Sequence, residues 1–464
     1  MHDTIQGLFS PASIALYGIP RGLKPGKVFF LGLLDQGFPG PIYLIHPTAI
    51  EIDGFKAYPN LHQVPGPVDL VIIMSPKETV FEALAECVKK KVKAVILYTS
   101  GFSELGEAAG RDDEERMRCL AHEGGLRILG PNCMGIYSPG SRIAPFPGMP
   151  RTQGKLGFIS QSGSLVNLFV NLCSAKGLFF SHVASSGNSA DIDLADLLAW
   201  MGQDEQTGIV CTYCEGVRNA ARLLDALRET TPKKPVIMWK VGLTRAGSRA
   251  AASHTGALTG QSDLWKSLFR QFHVLDVYDI EEMCDLAMAF YHMAPGGSGH
   301  VAIVSGPGGP AVSAADAVER NGLFMAVPAQ ESIRRLKELL PPTGTSSANP
   351  IDVGLSASFE LRLYQEALEI ILDDPGVDAV VMLGGGASAD MSADYIQGII
   401  RAKGRSDKHI MAIAYPGFVQ IDQAELLTPL HEHGIPVYPT PERALRAYAR
   451  MMEYYRYRAG RGGG

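Results

Sequence analysis

The chain has 464 residues, of which 46% are apolar and 19% are charged, and its formal net charge is −6. This length exceeds one ordinary hydrophobic core, so we expect two or three domains of about 150 residues each. An acidic chain offers no general basic field for nucleic acid or for an anionic membrane, although a local basic patch could still bind a phosphorylated ligand.

The cysteine pattern predicts a reduced protein. Its seven cysteines are scattered, and the one close pair, Cys211 and Cys214, lies in an apolar run without other zinc ligands nearby. We therefore expect reduced thiols in the protein core, and we expect neither a metal site nor a disulfide. No basic segment followed by an apolar stretch opens the chain, and no run approaches 18 apolar residues, so we expect a cytoplasmic protein that does not span a membrane.

The first predicted strand, at 13–17, is followed by the glycine-rich turn GIPRGLKPGK and an apolar helix at 28–34. This order begins a nucleotide-binding α/β unit, in which backbone N–H groups and the helix N-terminus face an anionic ligand. Arg21, Lys24 and Lys27 crowd the turn, which suits a ligand with several phosphates. A solvated basic loop explains the same residues equally well.

The second strand, at 41–45, ends in His46, Pro47 and Thr48. A nicotinamide dinucleotide would require an acidic residue at this strand tip to bind a ribose hydroxyl. The tip therefore disfavours NAD as the ligand of the first unit.

Later strands of this unit also end in small or polar residues. They are predicted at 68–74, 94–98 and 127–129. Because helical spacing separates them, they form a doubly wound parallel sheet whose strand ends share one rim. The rim includes Ser75, Pro76, Thr99, Ser100, Gly101, Phe102 and the GPNCMG segment. The amide of Asn132 in that segment could hold either a ligand or the loop backbone.

A second unit follows SPGSRIAPFPGMPRTQG, which we interpret as a connection between domains. The strand KLGFIS at 155–160 leads into QSGSL and a helical stretch. Ser162, Gly163 and Ser164 then lie at a helix N-terminus, where unsatisfied N–H groups and the helix dipole favour a phosphate. Ordinary N-capping by serine is the alternative.

One histidine, His254, lies among small residues in the loop that follows the apolar strand at 236–239. Ligands of open α/β sheets bind beyond the carboxyl ends of such strands, and Glu215 follows the strand at 208–213 in the same way. A carboxylate bonded to one ring nitrogen fixes the tautomer, leaves the other nitrogen free to attack, and stabilises the cation formed on phosphorylation. We predict this pairing of His254 with Glu215; a surface histidine without a role is the alternative.

A third unit repeats the design of the second after a break at 294–299. The strand at 301–304 leads into SGPGGPA and a helix at 311–320, and a closing helix begins at Pro441. The glycine-rich turn could be a second phosphate site or a tight turn that brings helix and sheet together. Asn349 and the three residues after it are interpreted as a turn that holds the domain together.

Seven motifs in the sequence follow one another in the same order as in one known family. They are YGIPRGLKPGK, TSGF, GPNCMG, FISQSGSL, SSGNSADID, YCEGV and SRAAASHTGALTG. The chain resembles the α subunit of the nucleoside-diphosphate-forming acyl-CoA synthetases, relatives of succinyl-CoA synthetase. The resemblance covers nearly the whole chain, and SHTGALTG is its most specific part. It implies that His254 is transiently phosphorylated, that Glu215 orients it, and that Ser162, Gly163 and Ser164 bind phosphate.

By the same resemblance, the first domain binds coenzyme A and Asn132 closes the thioester site. The coenzyme A residues would be Gly18, Pro20, Arg21, Lys24, Ser75, Pro76, Thr99, Ser100, Gly101 and Phe102. The fold implied is α/β, with an N-terminal Rossmann-like CoA-binding domain followed by two flavodoxin-like doubly wound parallel-sheet domains. We expect boundaries at 1–128, 129–293 and 294–464.

The family exchanges the phosphate on histidine with ADP/ATP or GDP/GTP and Mg²⁺ on an ATP-grasp domain. Because only a helix and the tail RAGRGGG follow Glu442, this chain should need an ATP-grasp β subunit in a hetero-oligomer. Its substrates would be a small carboxylic acid or acyl-CoA, with no nucleic acid and no membrane as partner. The alternatives are a CoA-binding regulator without turnover, which the retained His254 and Glu215 disfavour, and an NAD-dependent oxidoreductase. The acyl group cannot be read from the sequence, although no arginine is obviously placed to pair a second carboxylate.

Overall fold

The computed structural model describes residues 2–22, 24–249, 261–306, 308–386, 388–414 and 423–461. Three mainly parallel β-sheets are flanked by helices, as the predicted α/β class requires. The first two sheets lie in one compact unit, and the third lies in a second unit that comprises residues 175–178 and 284–464. Within the described residues, no helix is both long enough and apolar enough to cross a membrane.

The first sheet has the strand order β3-β4-β2-β1-β5-β6-β7, with an antiparallel β3–β4 hairpin and otherwise parallel pairs. Its strands are β1 (Ile14–Tyr17), β2 (Ile42–Ile45), β3 (Glu51–Ile52), β4 (Phe55–Tyr58), β5 (Leu70–Ile73), β6 (Ala94–Leu97) and β7 (Arg127–Leu129). Its helices are α1 (His2–Phe9), α2 (Lys27–Gln36), α3 (Val80–Lys90) and α4 (Ala108–Gly124). Strands β5 and β6 are fully buried apolar runs because helices cover both faces of a parallel sheet.

Six of these strands have the order β4-β2-β1-β5-β6-β7, which is the Rossmann arrangement. In this arrangement the strand order reverses between β1 and β5, and that position is the topological switch point. Ligands of such sheets bind beyond the strand ends at this switch point. The neighbours there are β1 and β5, which pair in parallel from Ile14 opposite Leu70 to Tyr17 opposite Ile73.

The second sheet has the order β13-β12-β11-β9-β10-β8. Its strands are β8 (Gly135–Tyr137), β9 (Leu156–Ser160), β10 (Phe180–Ser185), β11 (Ile209–Cys214), β12 (Val236–Lys240) and β13 (Leu275–Val277). Its helices are α5 (Gly163–Ser174), α6 (Leu194–Gln203), α7 (Ala220–Thr230) and α8 (Ser262–Phe272). Apart from the antiparallel edge strand β8, this is the flavodoxin arrangement, with its switch point between β9 and β11.

The proline-rich segment 138–154 is a packed part of this unit as well as a connection. A Cβ on Gly32 of α2 would lie 2.3 Å from the carbonyl oxygen of Ala144, so glycine lets the segment cross the helix closely. The side-chain amide of Gln36 donates to the carbonyl of Met149 at 2.9 Å, which anchors the segment to the end of α2.

The segment between β10 and α6 joins the first two sheets. Asp191 accepts hydrogen bonds from the backbone N–H of Ile128 at 2.8 Å and from Nε of Arg127 at 3.0 and 2.9 Å. Asp193 begins α6 in a capping box with Asp196. Much of the SSGNSADID motif is therefore explained by this junction and by helix capping.

The third sheet has the order β15-β14-β17-β18-β19, with β16 pairing beside one end of β14. Its strands are β14 (His300–Ser305), β15 (Phe324–Met325), β16 (Ile351–Asp352), β17 (Ala379–Leu383), β18 (His409–Ile413) and β19 (Val437–Tyr438). The remaining helices are α9 (Ile280–His292), α10 (Gly308–Arg320), α11 (Gln330–Leu339), α12 (Arg362–Asp373), α13 (Ala389–Lys403), α14 (Gln423–Glu432) and α15 (Pro441–Arg461). The order is again that of flavodoxin, so this domain repeats the second one.

Two details of the third sheet bear on the motifs in its sequence. The Asn349 amide bonds the backbone of Val301, Ile303 and Ala326 at 2.9 Å each, so it ties strands together. A Cβ on Gly306 would lie 1.9 Å from the hydroxyl oxygen of Tyr364, so close packing accounts for glycine at this position of the SGPGGP turn.

Candidate functional site

The switch point of the first sheet brings three predicted coenzyme A residues together. Gly18 has φ 81°, and a Cβ there would lie 2.7 Å from the backbone of Ser75, so only glycine fits. The Thr99 hydroxyl donates to the carbonyl of Ser75 at 2.7 Å. The ends of β1, β5 and β6 are thus adjacent, as a ligand that crosses the switch point requires.

The basic turn after β1 divides into one structural lysine and two exposed cations. Lys27 is buried and forms an ion pair with Asp53 at 2.6 Å. Arg21 and Lys24 are exposed, and Arg21 donates to the hydroxyl of Thr48 at 3.0 Å. Two positive charges therefore remain at the surface of the turn, beside the switch point.

The tip of β2 adds a histidine to this end of the first sheet. Nδ1 of His46 accepts from the backbone N–H groups of Thr48 and Ala49 at 3.2 and 3.0 Å. Burial and the nearby charge of Arg21 lower the pKa of His46. The ring thus shapes the strand tip as a neutral acceptor, where a ribose-binding site of the NAD type would place a carboxylate.

The turn at 99–102 is held by one carboxylate that the sequence did not single out. Glu104 accepts from the backbone N–H of Gly101 at 2.5 Å and of Phe102 at 3.0 Å. The Phe102 ring is fully buried, with the ammonium of Lys77 4.9 Å from its centroid. The ring therefore packs inside the protein and leaves only the backbone of the turn for the predicted contact with coenzyme A, which stays a prediction.

Asn132 lies where the first and second sheets meet. Its φ is 56°, its backbone N–H donates to the carbonyl of Thr99 at 3.0 Å, and its side-chain amide donates to Asn188 at 3.3 Å. A Cβ on Gly187 would lie 2.4 Å from the Asn132 carbonyl oxygen. The loop after β7 is thus clamped between the turn at 99–102 and the loop after β10.

Asn188 also connects two acidic residues of the first domain to this loop. Its amide nitrogen donates to Glu104 at 2.6 Å and to the buried Glu114 at 2.8 Å. Arg218, which lies beyond β11, pairs with Glu114. This arginine is half exposed, and its position beyond β11 could not be read from the sequence, where no arginine is obviously placed to pair a second carboxylate.

The predicted phosphate residues lie at the first turn of α5. Gly163 begins the helix, and a Cβ there would lie 2.2 Å from Met134, so the Asn132 loop touches this turn directly. The hydroxyls of Ser162 and Ser164 are 3.2 Å apart. The first N–H groups of a helix lack intrahelical partners, so this turn can bind an anion.

Gln161 joins this turn to Glu215 across the switch point between β9 and β11. Its Oε1 accepts from the backbone N–H of Glu215 at 2.5 Å and of Gly216 at 3.0 Å, and its Nε2 donates to the Gly216 carbonyl at 3.1 Å. Glu215 is buried, and the Tyr213 hydroxyl bonds its carboxylate. Burial and that carboxylate raise the pKa of Tyr213.

His254 falls in residues 250–260, which lie outside the described residues. The described part of the sequence ends on one side after β12 and resumes at Gln261, just before α8. The predicted pairing of His254 with Glu215 therefore stays a prediction. Of the other predicted site residues, Gly18, Ser75, Thr99 and Asn132 lie on one continuous set of contacts. The loop of Asn132 touches the first turn of α5, and Gln161 links that turn to Glu215.

The comparisons with known proteins follow this division of the chain. Family models match residues 12–139 as a CoA binding domain, 153–290 as a succinyl-CoA ligase like flavodoxin domain, and 301–460 as a Ligase-CoA domain. Acetate–CoA ligase [ADP-forming] II subunit alpha of Pyrococcus furiosus is 36% identical over 96% of this chain and 97% of its own. This chain belongs to the family of the ADP-forming acetate–CoA ligase α subunits.

Other members of the family agree in sequence and structure. The I subunit alpha of P. furiosus is 34% identical over 98% of this chain and 99% of its own. Acetate–CoA ligase [ADP-forming] I of Archaeoglobus fulgidus is 31% identical over 97% of this chain but only 64% of its own. The dinucleotide-forming acetyl-coenzyme A synthetase 1 of Ca. Korarchaeum cryptofilum, in complex with phosphate and ADP, is 31% identical with a TM-score of 0.88, and the match covers 100% of both chains.

Because the chain belongs to the family of these ligase α subunits, the family resemblance and the α/β fold class predicted from the motifs are confirmed. The alternatives, an NAD-dependent oxidoreductase and a regulator without turnover, are not supported by these relatives. Sequence reasoning missed Gln161, Glu104 and Asn188, whose partners lie far away along the sequence. The sequence feature that could have indicated these three residues is an amide or carboxylate side chain close to a strand end and a glycine.

Proposed function

We propose that this protein is the α subunit of an acyl-CoA synthetase that interconverts acyl-CoA, phosphate and NDP with carboxylic acid, CoA and NTP. The observation that carries this proposal is a continuous set of contacts. It runs from the turn at 99–102 through the Asn132 loop and the helix turn of Ser162 and Ser164 to the Glu215 segment. Groups that handle a thioester and a phosphate in succession must be adjacent, and these segments are.

In the proposed first step, a phosphate oxygen attacks the thioester carbonyl, the C–S bond breaks, and CoA leaves as the thiolate. Gly18, Pro20, Arg21, Lys24, Ser75, Pro76 and the turn at 99–102 hold CoA, and Asn132 closes the thioester site. The free N–H groups of α5 with Ser162, Gly163 and Ser164 hold the phosphate, because a helix N-terminus favours negative charge.

In the second step, a ring nitrogen of His254 attacks phosphorus of the acyl phosphate, and the carboxylate of the product acid leaves. Glu215 accepts a hydrogen bond from the other ring nitrogen and balances the cation that forms. The phosphoryl group then passes to ADP or GDP, which is bound with Mg²⁺ on the partner.

We propose an ATP-grasp β subunit as that partner, in a cytoplasmic hetero-oligomer. The support is the naming of the relatives as α subunits and the ligase of A. fulgidus, in which about a third of the one polypeptide lies beyond the region shared with this protein. We further propose domains at 1–128, 129–293 and 294–464, with the sheets containing β1, β9 and β14 as their centres.

Phosphate labelling tests the central step. With acyl-CoA and [³²P]phosphate, the protein should acquire a label that is lost in acid and kept in base, as a phosphoramidate on imidazole requires. His254→Ala should abolish the label and leave CoA binding intact, whereas Glu215→Gln should slow labelling by roughly 10²–10⁴.

Ser253→Ala is the matched control, because a phosphoserine at this neighbouring position would give an acid-stable label. The control variant should label like the parent. Full labelling of the His254→Ala protein would remove the histidine from this function.

A further inference from the structure

Lys240 is a buried lysine at the end of β12, next to the proposed catalytic carboxylate. It pairs in register with Cys214, the residue before Glu215, and only 6% of its surface is exposed. A lysine side chain is seldom buried without partners, because hydrogen bonds or opposite charges must replace the water that its ammonium loses. The position therefore calls for an explanation beyond strand formation.

The ammonium of Lys240 contacts both strand ends and a helix. Its Nζ donates to the backbone carbonyl of Glu215 at 2.8 Å and also to the carbonyl of Val241. The same ammonium also lies over the ring of Trp265 in α8, with Nζ 5.0 Å from the ring centroid. Burial lowers the pKa of Lys240, and the neighbouring Cys214 and Glu215 oppose this effect.

These contacts bracket the segment that contains His254. Val241 begins the stretch after β12, and Trp265 lies in the first turn and a half of the helix that follows it. One ammonium thus connects the start of this stretch, the helix after it, and the Glu215 segment. The hydrogen bonds fix positions and the cation–π contact adds attraction in a desolvated site.

We infer that Lys240 is a positioning residue for phosphoryl transfer to His254. It holds the Glu215 segment and both flanks of the His254 segment in one arrangement, through two backbone carbonyls and an aromatic ring. The inference deepens the proposed function and rests on it. Misplacing reacting groups by about 1 Å can slow a reaction on the order of 10²-fold, which sets the expected effect.

The test uses the full-length Lys240→Met protein, assembled with its partner subunit, with acetyl-CoA and [³²P]phosphate. Labelling should slow on the order of 10²-fold, whereas the Kd for CoA and the KM for acetyl-CoA should stay at the parental values. Lys240→Arg keeps the charge with a different shape and should give an intermediate rate.

Lys234→Met is the matched control. Lys234 lies beyond the opposite end of β12, and its Nζ donates to the backbone carbonyls of Met201 at 2.8 Å and Asp204 at 2.5 Å. Its replacement removes a similarly bonded, partly buried lysine from the same sheet, but away from the strand ends that carry Glu215. It should lower the melting temperature without slowing the labelling.

A Lys240→Met protein that labels as fast as the Lys234→Met protein would overturn the inference, and so would a parallel loss of CoA affinity. If Lys240→Met does not fold, Lys240→Arg and Trp265→Leu decide, because each weakens part of the arrangement; parental labelling rates in both would also overturn it. Failure of the proposed function is separate, since it would appear as labelling that survives His254→Ala.

Discussion

Gln161 shows how one side chain can set the geometry of two functional segments. Its amide bonds the backbone of Glu215 and Gly216 while its own residue immediately precedes the Ser162 turn. Because the two segments flank a switch point, a single amide keeps the phosphate turn and the carboxylate in register. The proposed orienting carboxylate and phosphate site therefore both depend on the side chain of Gln161.

At the same scale, the sequence could identify Glu215 and Ser162 but not their connections. A strand-end carboxylate and a serine before a helix are visible as local patterns. Lys240 and Asn188 are not, since their importance comes from partners that are 25 and 84 residues away. Such contacts can be predicted only when the order of the strands in the sheet is known.

The exposed basic turn gives a prediction about coenzyme A. Arg21→Ala with Lys24→Ala should weaken CoA binding by about 1.5–3 kcal/mol for each charge-assisted contact that is lost. Both side chains are exposed beside the Gly18–Ser75 switch point, so their removal should leave the fold unchanged. Isothermal titration calorimetry measures the effect.

Lys89→Ala with Lys93→Ala provides the control for this charge change. Both lysines are exposed. Lys89 lies in the last turn of α3 and Lys93 directly precedes β6, so both are near the amino end of that strand, opposite the strand ends beside Gly18. The control should bind CoA like the parent. Equal weakening in both double variants would mean that net charge, and not the turn, attracts CoA.

Strand patterns in the sequence located most elements to within two residues, because fully buried parallel strands are continuous apolar runs bounded by polar tips. Strand β6, predicted at 94–98, ends at Leu97, and β14, predicted at 301–304, spans His300–Ser305. The β3–β4 hairpin and the edge strand β8 were not predicted, because two- to four-residue strands with mixed polarity lack a clear period. Strand order was also beyond reach, since pairing partners are distant in sequence.

The tight contact between two loops leads to a prediction about stability. Gly187 has φ 53°, and an added Cβ would lie 2.2 Å from the Pro131 carbonyl oxygen and 2.4 Å from that of Asn132. Gly187→Ala should therefore incur the left-handed backbone penalty of about 1–2 kcal/mol plus the cost of moving a backbone segment. Denaturant unfolding should show a total loss above ~2 kcal/mol.

Gly125→Ala separates the two contributions. Gly125 has φ 69° at the end of α4, and an added Cβ there would meet nothing within 4 Å. This variant should lose only the backbone penalty of about 1–2 kcal/mol. If both variants lose the same free energy of unfolding, the loop after β7 moves freely and the clamp on Asn132 is weaker than the contacts indicate.

At the scale of the whole molecule, the family distributes the same chemistry over one or two polypeptides. The relatives named as α subunits match this protein along nearly their whole length, whereas the A. fulgidus ligase carries a further third on the same polypeptide. The turn at 99–102, the helix turn of Ser162 and Ser164, and Glu215 all lie in the first compact unit described above. We therefore propose the thioester and histidine steps for this protein, and nucleotide exchange is the step that we assign to the partner.

The last prediction follows from this division of labour. The purified protein with acyl-CoA, phosphate and ADP should form no ATP, because the phosphoryl group on His254 would have no bound nucleotide to accept it. Addition of the ATP-grasp subunit should restore ATP formation, measured by luciferase luminescence, and the same mixture containing the His254→Ala protein should remain inactive. By itself, the purified protein should still take up [³²P]phosphate if its phosphate site is complete, and the label should pass to ADP when the second subunit is added. Robust ATP formation by the pure protein without a second subunit would contradict the assignment of nucleotide exchange to a partner.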